Sequence, residues 1–327
     1  MPLTTRIPPS RGLPTARVVD HYAFTVPDLH EAVRFFTKVM GGTLCYEEGP
    51  IHDPHSDWML RKLGVHPRSK AHIALVRLGD NCNLELFEYS APGQVRTPPA
   101  AGDPGAHQLT WWIDDAAAAR SHLAGHGITV DDPTPAPGEV RFCTSWGMPC
   151  TLRELTPGEN PSVLPAPPAQ DGLAPLGLAQ ASYTVADLRQ AVAFFRDVLG
   201  GELLTTPGPS AALLRCGPTA RIDLRQADRP GNPPPANSDI GGHHLAFYVD
   251  DVDEAARYLG AVEGVRLMGE PETVTEGPIA GDRWLYFQTP IGMQMEIINL
   301  PDGNLPYERL TTARRATPGS RTWNDRP

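Results

Sequence analysis

Two histidines and two glutamates occupy matching places near the two ends of the chain: His21 with Glu85, and His244 with Glu296. Each histidine opens a strand-like run, HYAFTVPD from His21 and HLAFYVDD from His244, with an aromatic residue three positions on and an aspartate seven positions on. Each glutamate lies in a β-rich run, NLELFEY over 83–89 or QMEIINL over 294–300, and is followed by Leu or Ile. Two imidazoles and two carboxylates meeting in a pocket make a divalent transition-metal site. Imidazole suits Zn, Ni, Fe and Co, and carboxylate suits harder ions. A lone His or Glu on a strand is usually structural or solvated. Four of them at equivalent positions point instead to a shared site.

The frame that positions these residues occurs twice more, as QLTWWIDD over 108–115 and QASYTVAD over 180–187. Four such starts in one chain are an internal duplication. Each continues into a helix signal. Asp28 can cap LHEAVRFFTKVM before Gly41-Gly42, and Asp187 can cap LRQAVAFFRDVL before Gly200-Gly201. Aspartate at the N-cap accepts an orphan backbone N–H, and glycine supplies the left-handed residue that ends a helix. About three short strands follow in each module. A unit this small leaves one sheet face bare, so the modules must pair.

At the positions equivalent to the histidines and glutamates, the inner two modules carry Gln108 with Thr151 and Gln180 with Asp223. His107 and His243 sit one residue before the key positions, so strand alternation points them to the other face. Glu154, three residues after Thr151, also has the wrong parity unless a bulge intervenes. With His107 and Glu154 as ligands, the first two modules would form a site of their own.

Composition bounds the rest. A chain of 327 residues suggests two domains. Net charge of −10 with no long basic run argues against nucleic acid as a partner. No stretch has the length and apolarity of a membrane span. The start, MPLTTRIPPSRGLPTAR, has no apolar signal region. Five cysteines without a CxxC fit a reducing cytoplasm. The expected organisation is a disordered arm over 1–16, a first domain over 17–156 (modules 17–95 and 105–156), a Pro-rich linker over 157–175, a second domain over 176–300 (modules 176–227 and 241–300) and a tail over 301–327, disordered over its last fifteen or so residues.

The four module starts and the Glu-Leu/Ile end strands resemble the vicinal oxygen chelate superfamily over roughly residues 17–300. That group includes glyoxalase I, methylmalonyl-CoA epimerase, extradiol dioxygenases and antibiotic resistance proteins. The resemblance implies an α+β fold of four βαβββ modules forming two barrels, and carries the family's ligand positions onto His21, Glu85, His244 and Glu296. The outer modules resemble the two halves of a single glyoxalase-like protein, and the inner pair an insertion. The expected pairing is therefore first with fourth and second with third. Sequential pairing is the alternative, with a site of His244 and Glu296 plus Gln180 or Asp223.

The resemblance further implies a metal-dependent enzyme of the isomerase or lyase type, acting on a small oxygenated metabolite through a metal-stabilised enolate. The ion would be Fe, Ni, Zn, Mn or Co, and Glu296 or Glu85 would move the proton. Trp58, Trp284 and Tyr286 are candidate pocket walls, and Arg283 a candidate holder of an anionic substrate group. An Fe(II) extradiol-type dioxygenase and a non-catalytic small-molecule binding or resistance protein are the alternatives. A monomer or homodimer is expected.

Overall fold

A computed structural model describes residues 12–131, 136–156, 172–205, 208–301, 305–317 and 323. Of the expected arm over 1–16, residues 1–11 lie outside this set, as do residues 157–171 of the expected linker.

The first module runs β1 (Ala16–Thr25), α1 (Leu29–Arg34), β2 (Thr43–Ile51), α2 (Trp58–Leu63), β3 (Lys70–Leu78) and β4 (Cys82–Ser90). The second is β5 (His107–Ile113), α3 (Ala116–Gly125), β6 (Glu139–Cys143) and β7 (Pro149–Glu154). The third is β8 (Gly177–Val185), α4 (Leu188–Ala193), β9 (Glu202–Leu203), β10 (Ala211–Cys216) and β11 (Ala220–Gln226). The fourth is β12 (His243–Val249), α5 (Val252–Gly260), β13 (Arg266–Leu267), β14 (Glu272–Thr273), β15 (Arg283–Gln288) and β16 (Gln294–Asn299), and α6 (Pro306–Leu310) follows it.

The repeated aspartates do the same local work four times. Asp28, Asp115, Asp187 and Asp251 each accept the backbone N–H three residues on, at 2.8–2.9 Å. This satisfies one of the donors that a helix start leaves free. A second device repeats beside it. Glu88, Glu154 and Gln226 each accept the N–H of the first helical residue of their own module, Leu29, Ala116 and Leu188. Glu154 is therefore occupied at a helix start. The helices of the first and third modules both widen into a five-residue π turn at their Phe-Phe pairs, Phe35–Val39 and Phe194–Val198.

The strands form two sheets. One has the order β13-β15-β16-β12-β1-β4-β3-β2, with β14 against β15, and is built from the first and fourth modules. The other has the order β6-β7-β5-β8-β11-β10-β9 and is built from the second and third. A large apolar core, including Phe36, Trp111, Phe142, Phe195 and Phe247, packs the helices and the two sheets together. A second cluster lies inside the outer sheet, around Ala23, Phe87, Ala246, Trp284 and Tyr286. His107 and His243 belong to the seam between the sheets. The His107 ring stacks on Phe24 at 4.5 Å and lies 5.3 Å from His243, which stacks on Tyr183 at 5.1 Å.

Of the expected tail, residues 302–304, 318–322 and 324–327 lie outside the described residues, while several described residues of the arm and tail are packed. Leu13 is buried, and so are Arg315, Ala316 and Trp323. The Asn83 side chain accepts the Ala316 N–H at 2.7 Å and donates to the Ala316 carbonyl at 2.9 Å, which straps the tail to the outer sheet. Trp323 packs on Phe247 and donates its indole N–H to the Gly200 carbonyl at 3.1 Å. Among the described residues no helix is long and apolar enough to cross a membrane.

Burial pushes the His107 imidazole down to about 4. The unfolded chain, with an ordinary histidine near 6.5, then binds a proton that the folded chain refuses between those two values. Stability is expected to fall as pH drops from about 6.5 towards 4. His107→Phe, which keeps the stack on Phe24, is expected to flatten that part of the curve. Urea midpoints of the two proteins across pH 4–8 check it.

Candidate metal centre

The seam of the outer sheet is the antiparallel pairing of β1 with β12, in which His21 lies opposite Ala246 and Ala23 opposite His244. The histidines are thus diagonal neighbours on one face, and a small alanine faces each of them. On either side a parallel strand completes the set: Glu85 of β4 lies beside Ala23, and Glu296 of β16 beside Ala246. Alternate residues share a sheet face, so all four side chains enter the barrel.

The two imidazoles meet Nε2 to Nε2 at 3.2 Å. Glu85 Oε2 lies 3.2 Å from His21 Nε2 and 3.4 Å from His244 Nε2. Glu296 Oε2 lies 3.1 and 3.3 Å from the same two atoms. All four side chains are buried, and their donor atoms lie within 4.8 Å of one another. Ligands about 2.0–2.2 Å from a common ion stand about 3.0–3.5 Å apart in octahedral or tetrahedral array. The donor set therefore fits a divalent cation in both chemistry and spacing. Among the described residues this is the one group of three or more such donors that converges.

Electrostatics argue the same way. Burial alone would push the His21 imidazole down, but the Glu85 and Glu296 carboxylates beside it outweigh burial and carry it up to about 10. Burial would likewise raise Glu85, yet His21 and His244 pull it well below the usual carboxylate range. The cluster binds positive charge strongly, and a proton on His21 can stand where a metal ion would.

An outer layer orients the donors. His21 Nδ1 lies 2.9 Å from Asp20 Oδ2, and the other oxygen of Asp20 is ion-paired with the buried Arg315 guanidinium. A carboxylate behind a ligating histidine fixes its tautomer and raises its basicity. The Tyr286 hydroxyl lies 3.2 Å from His244 Nε2, and Tyr46 donates to Glu85 Oε1 at 3.5 Å. Burial, then Glu296 and Glu85, hold the Tyr286 phenol protonated.

Above the cluster opens a cavity of about 440 Å³. Trp58, Trp284 and Tyr286 line it, as the sequence suggested. Trp58 is fixed by its indole N–H, which donates to Glu272 at 3.2 Å, and Lys62 pairs with the same carboxylate at 3.0 Å. Arg283 requires correction as a substrate-binding residue. Strand alternation puts it on the opposite face of β15, where it binds Asp253 at 2.7 Å and Thr273. Sequence reasoning missed Asp20, Tyr46, Glu48, Asp282 and Arg315, all of which line the cavity. Asp20 carried a signal, because it precedes His21 directly. Arg315 carried none.

The equivalent positions of the inner sheet satisfy one another. Gln108 donates to Thr151 at 2.6 Å, and Ser182 donates to Asp223 at 2.9 Å. Arg225 donates to Asp223 at 2.8 Å and to Gln108 at 3.3 Å.

Comparison with known proteins places this geometry. Two profiles of the glyoxalase/bleomycin resistance protein/dioxygenase superfamily match, one over residues 20–144 and one over 177–297. A 2-epi-5-epi-valiolone epimerase from Actinomyces sp. is 33% identical over 315 residues, covering 96% of each chain. The chain belongs to the glyoxalase/bleomycin resistance protein/dioxygenase superfamily. Its fold is that of glyoxalase I from Zea mays (15% identity, TM-score 0.57, covering 86% of this chain and 92% of that one). It is also that of a proposed dioxygenase from Bacillus subtilis (13% identity, TM-score 0.62, covering 92% of each). The superfamily profiles follow chain order, whereas the sheets join the first module to the fourth and the second to the third.

Arg315→Met leaves the buried Asp20 without its cation. Breaking one side of a buried ion pair costs about 3–5 kcal/mol, so a loss of that size in unfolding free energy is expected. Urea denaturation measures it, and adding Asp20→Asn to the variant is expected to recover part of the loss.

Proposed function

We propose that the outer barrel is a metal-dependent epimerase acting on a neutral, hydroxylated ketone, with His21, Glu85, His244 and Glu296 as the metal ligands. The observation that carries the proposal is the convergence of these four buried donors beneath the cavity. The similarity over almost the whole chain to an epimerase supports the reaction type.

The charge of the cavity supports a neutral substrate. Glu48, Glu272 and Glu276 line it together with Glu85 and Glu296, and the Arg or Lys side chain among its lining residues is Arg315, which is paired with Asp20. Such a field repels phosphate or carboxylate groups. Trp58, Trp284 and Phe87 give it apolar walls that suit the C–H face of a ring.

A divalent ion held by the four side chains would supply Lewis-acid stabilisation for the charge that develops when a proton leaves the carbon beside a carbonyl. Glu85 and Glu296 flank the histidine pair from opposite sides, since β4 and β16 lie outside β1 and β12. One carboxylate takes the proton, the C–H bond breaks, and the electron pair moves towards the carbonyl oxygen. The other, in its carboxylic acid form at the outset, gives its proton to the opposite face of the same carbon as the electron pair returns from the oxygen. A C–H bond of inverted configuration forms, and the two groups exchange protonation states. The protonated Tyr286 beside His244 can donate to a substrate oxygen.

The test is incubation of the full chain, loaded with each candidate metal, with 2-epi-5-epi-valiolone in deuterated water. Epimerisation with deuterium at the inverted carbon and without oxygen uptake is expected. Glu85→Gln and Glu296→Gln are each expected to lower kcat about 10²-fold or more. His21→Ala and His244→Ala are each expected to lose the bound ion by mass spectrometry. Oxygen consumed in step with substrate would establish the dioxygenase alternative instead.

A further inference from the structure

Asp282 is 2% exposed, and its Oδ1 atom has no hydrogen-bond partner among the described residues. It immediately precedes β15 and lines the cavity with Trp284 and Tyr286, the alternate residues that follow it. Its backbone is fixed at both ends: the Asp282 N–H donates to the Ile279 carbonyl at 3.0 Å, and its carbonyl accepts the Val274 N–H at 2.8 Å. The side chain is therefore held in place by a turn that gives its carboxyl group nothing to bind. Leaving a buried polar group unmatched costs about 1–3 kcal/mol. Val274, Ile279, Ile298 and Leu300 line the same cavity and offer the carboxyl group no partner.

Four residues of extended chain separate Asp282 from Tyr286, roughly 13 Å at about 3.3 Å per residue, so the two can contact different parts of one bound molecule. Burial, then Glu296 and Glu85, raise the Asp282 carboxyl well above the usual carboxylate range. A carboxyl group accepts a hydrogen bond from a hydroxyl and, where it carries a proton, donates one as well.

We propose that Asp282 is a specificity-determining residue whose carboxyl group hydrogen-bonds a ring hydroxyl of a neutral polyhydroxylated substrate in the cavity it shares with Trp284 and Tyr286. This rests on the epimerase proposal for the choice of substrate class, but its test reads binding and does not need turnover.

The experiment uses the metal-loaded full chain and follows Trp fluorescence on titration with 2-epi-5-epi-valiolone and with ring analogues each lacking one hydroxyl. Asp282→Ala and Asp282→Asn are compared with wild type. A site built to bind a hydroxyl rejects the analogue that lacks it. One deoxy analogue is expected to bind wild type about tenfold or more weakly than the parent, a change of about 1.4 kcal/mol, and to bind Asp282→Ala as well as the parent does. Metal content of the variants is expected to match wild type, and their melting temperatures to stay level or rise, because an unmatched buried acid has been removed. A purely packing role would instead lower the melting temperature and leave the pattern across analogues unchanged. Equal losses by wild type and variant on every deoxy analogue would overturn the proposal, as would a wild type that binds none of these ring polyols. Binding with this pattern but without epimerisation would leave Asp282 in its role and reject the epimerase reading alone.

Discussion

The structure depends on one register, that of β1 against β12. With His21 opposite Ala246 and Ala23 opposite His244, the histidines become diagonal neighbours and their Nε2 atoms come within 3.2 Å. A slip of one residue along either strand would turn its histidine into the seam between the sheets and bring Tyr22 or His243 into the barrel. The parallel strands then follow, because Glu85 and Glu296 are in register with the two alanines. The alanines matter for the same reason as the histidines. Opposite each imidazole the sheet surface must stay low, or no space would remain between the rings and carboxylates for an ion.

That arrangement is costly for the folded chain. Two carboxylates and two imidazoles are withdrawn from water, and a third carboxylate, Asp20, stands behind them. Desolvated charge is tolerated only where it is paired. Asp20 is paired by Arg315, which comes from the tail beyond the last strand. The tail is tied down for that purpose by Asn83, whose side-chain amide holds both backbone groups of Ala316. The segment after the last strand thus belongs to the site: it carries the cation that lets Asp20 orient His21.

The four-module organisation and the donor set could be read from the sequence because both are periodic. The aspartate seven residues after each strand start is a cap in every module, and the parity rule placed His107 and His243 on the face away from His21 and His244. Glu154 shows the limit of that rule. Parity set it aside, but only comparison with Glu88 and Gln226 three residues after Glu85 and Asp223 gives it a task. Arg283 alternates with Trp284 and Tyr286, which fix the cavity face of β15, and so it faces away from the cavity. Arg315 lies beyond the four modules, and Asp282 lies in a turn of the fourth, outside the repeated strand starts and end strands. What places them is a tail strap and a turn over 274–282, whose contacts join parts of the chain with no shared pattern.

The two sheets show what the duplicated frame does under different residues. In the inner sheet the four equivalent positions hold Gln108, Thr151, Gln180 and Asp223, and Ser182 and Arg225 complete a network. A guanidinium there neutralises the one carboxylate, so the cation comes from the chain itself and on a tether. Among the described residues no Arg or Lys pairs with the four donors of the outer sheet, and the attraction of Glu85 and Glu296, against burial, leaves a proton on His21 as the remaining source of positive charge. The same backbone thus yields one closed polar network and one centre that is short of a cation. A fully satisfied network rigidifies its surroundings, and the inner sheet shares its apolar core with the outer one. The inner barrel can therefore act as a buttress for β1 and β12 through Trp111, Tyr183 and the seam histidines.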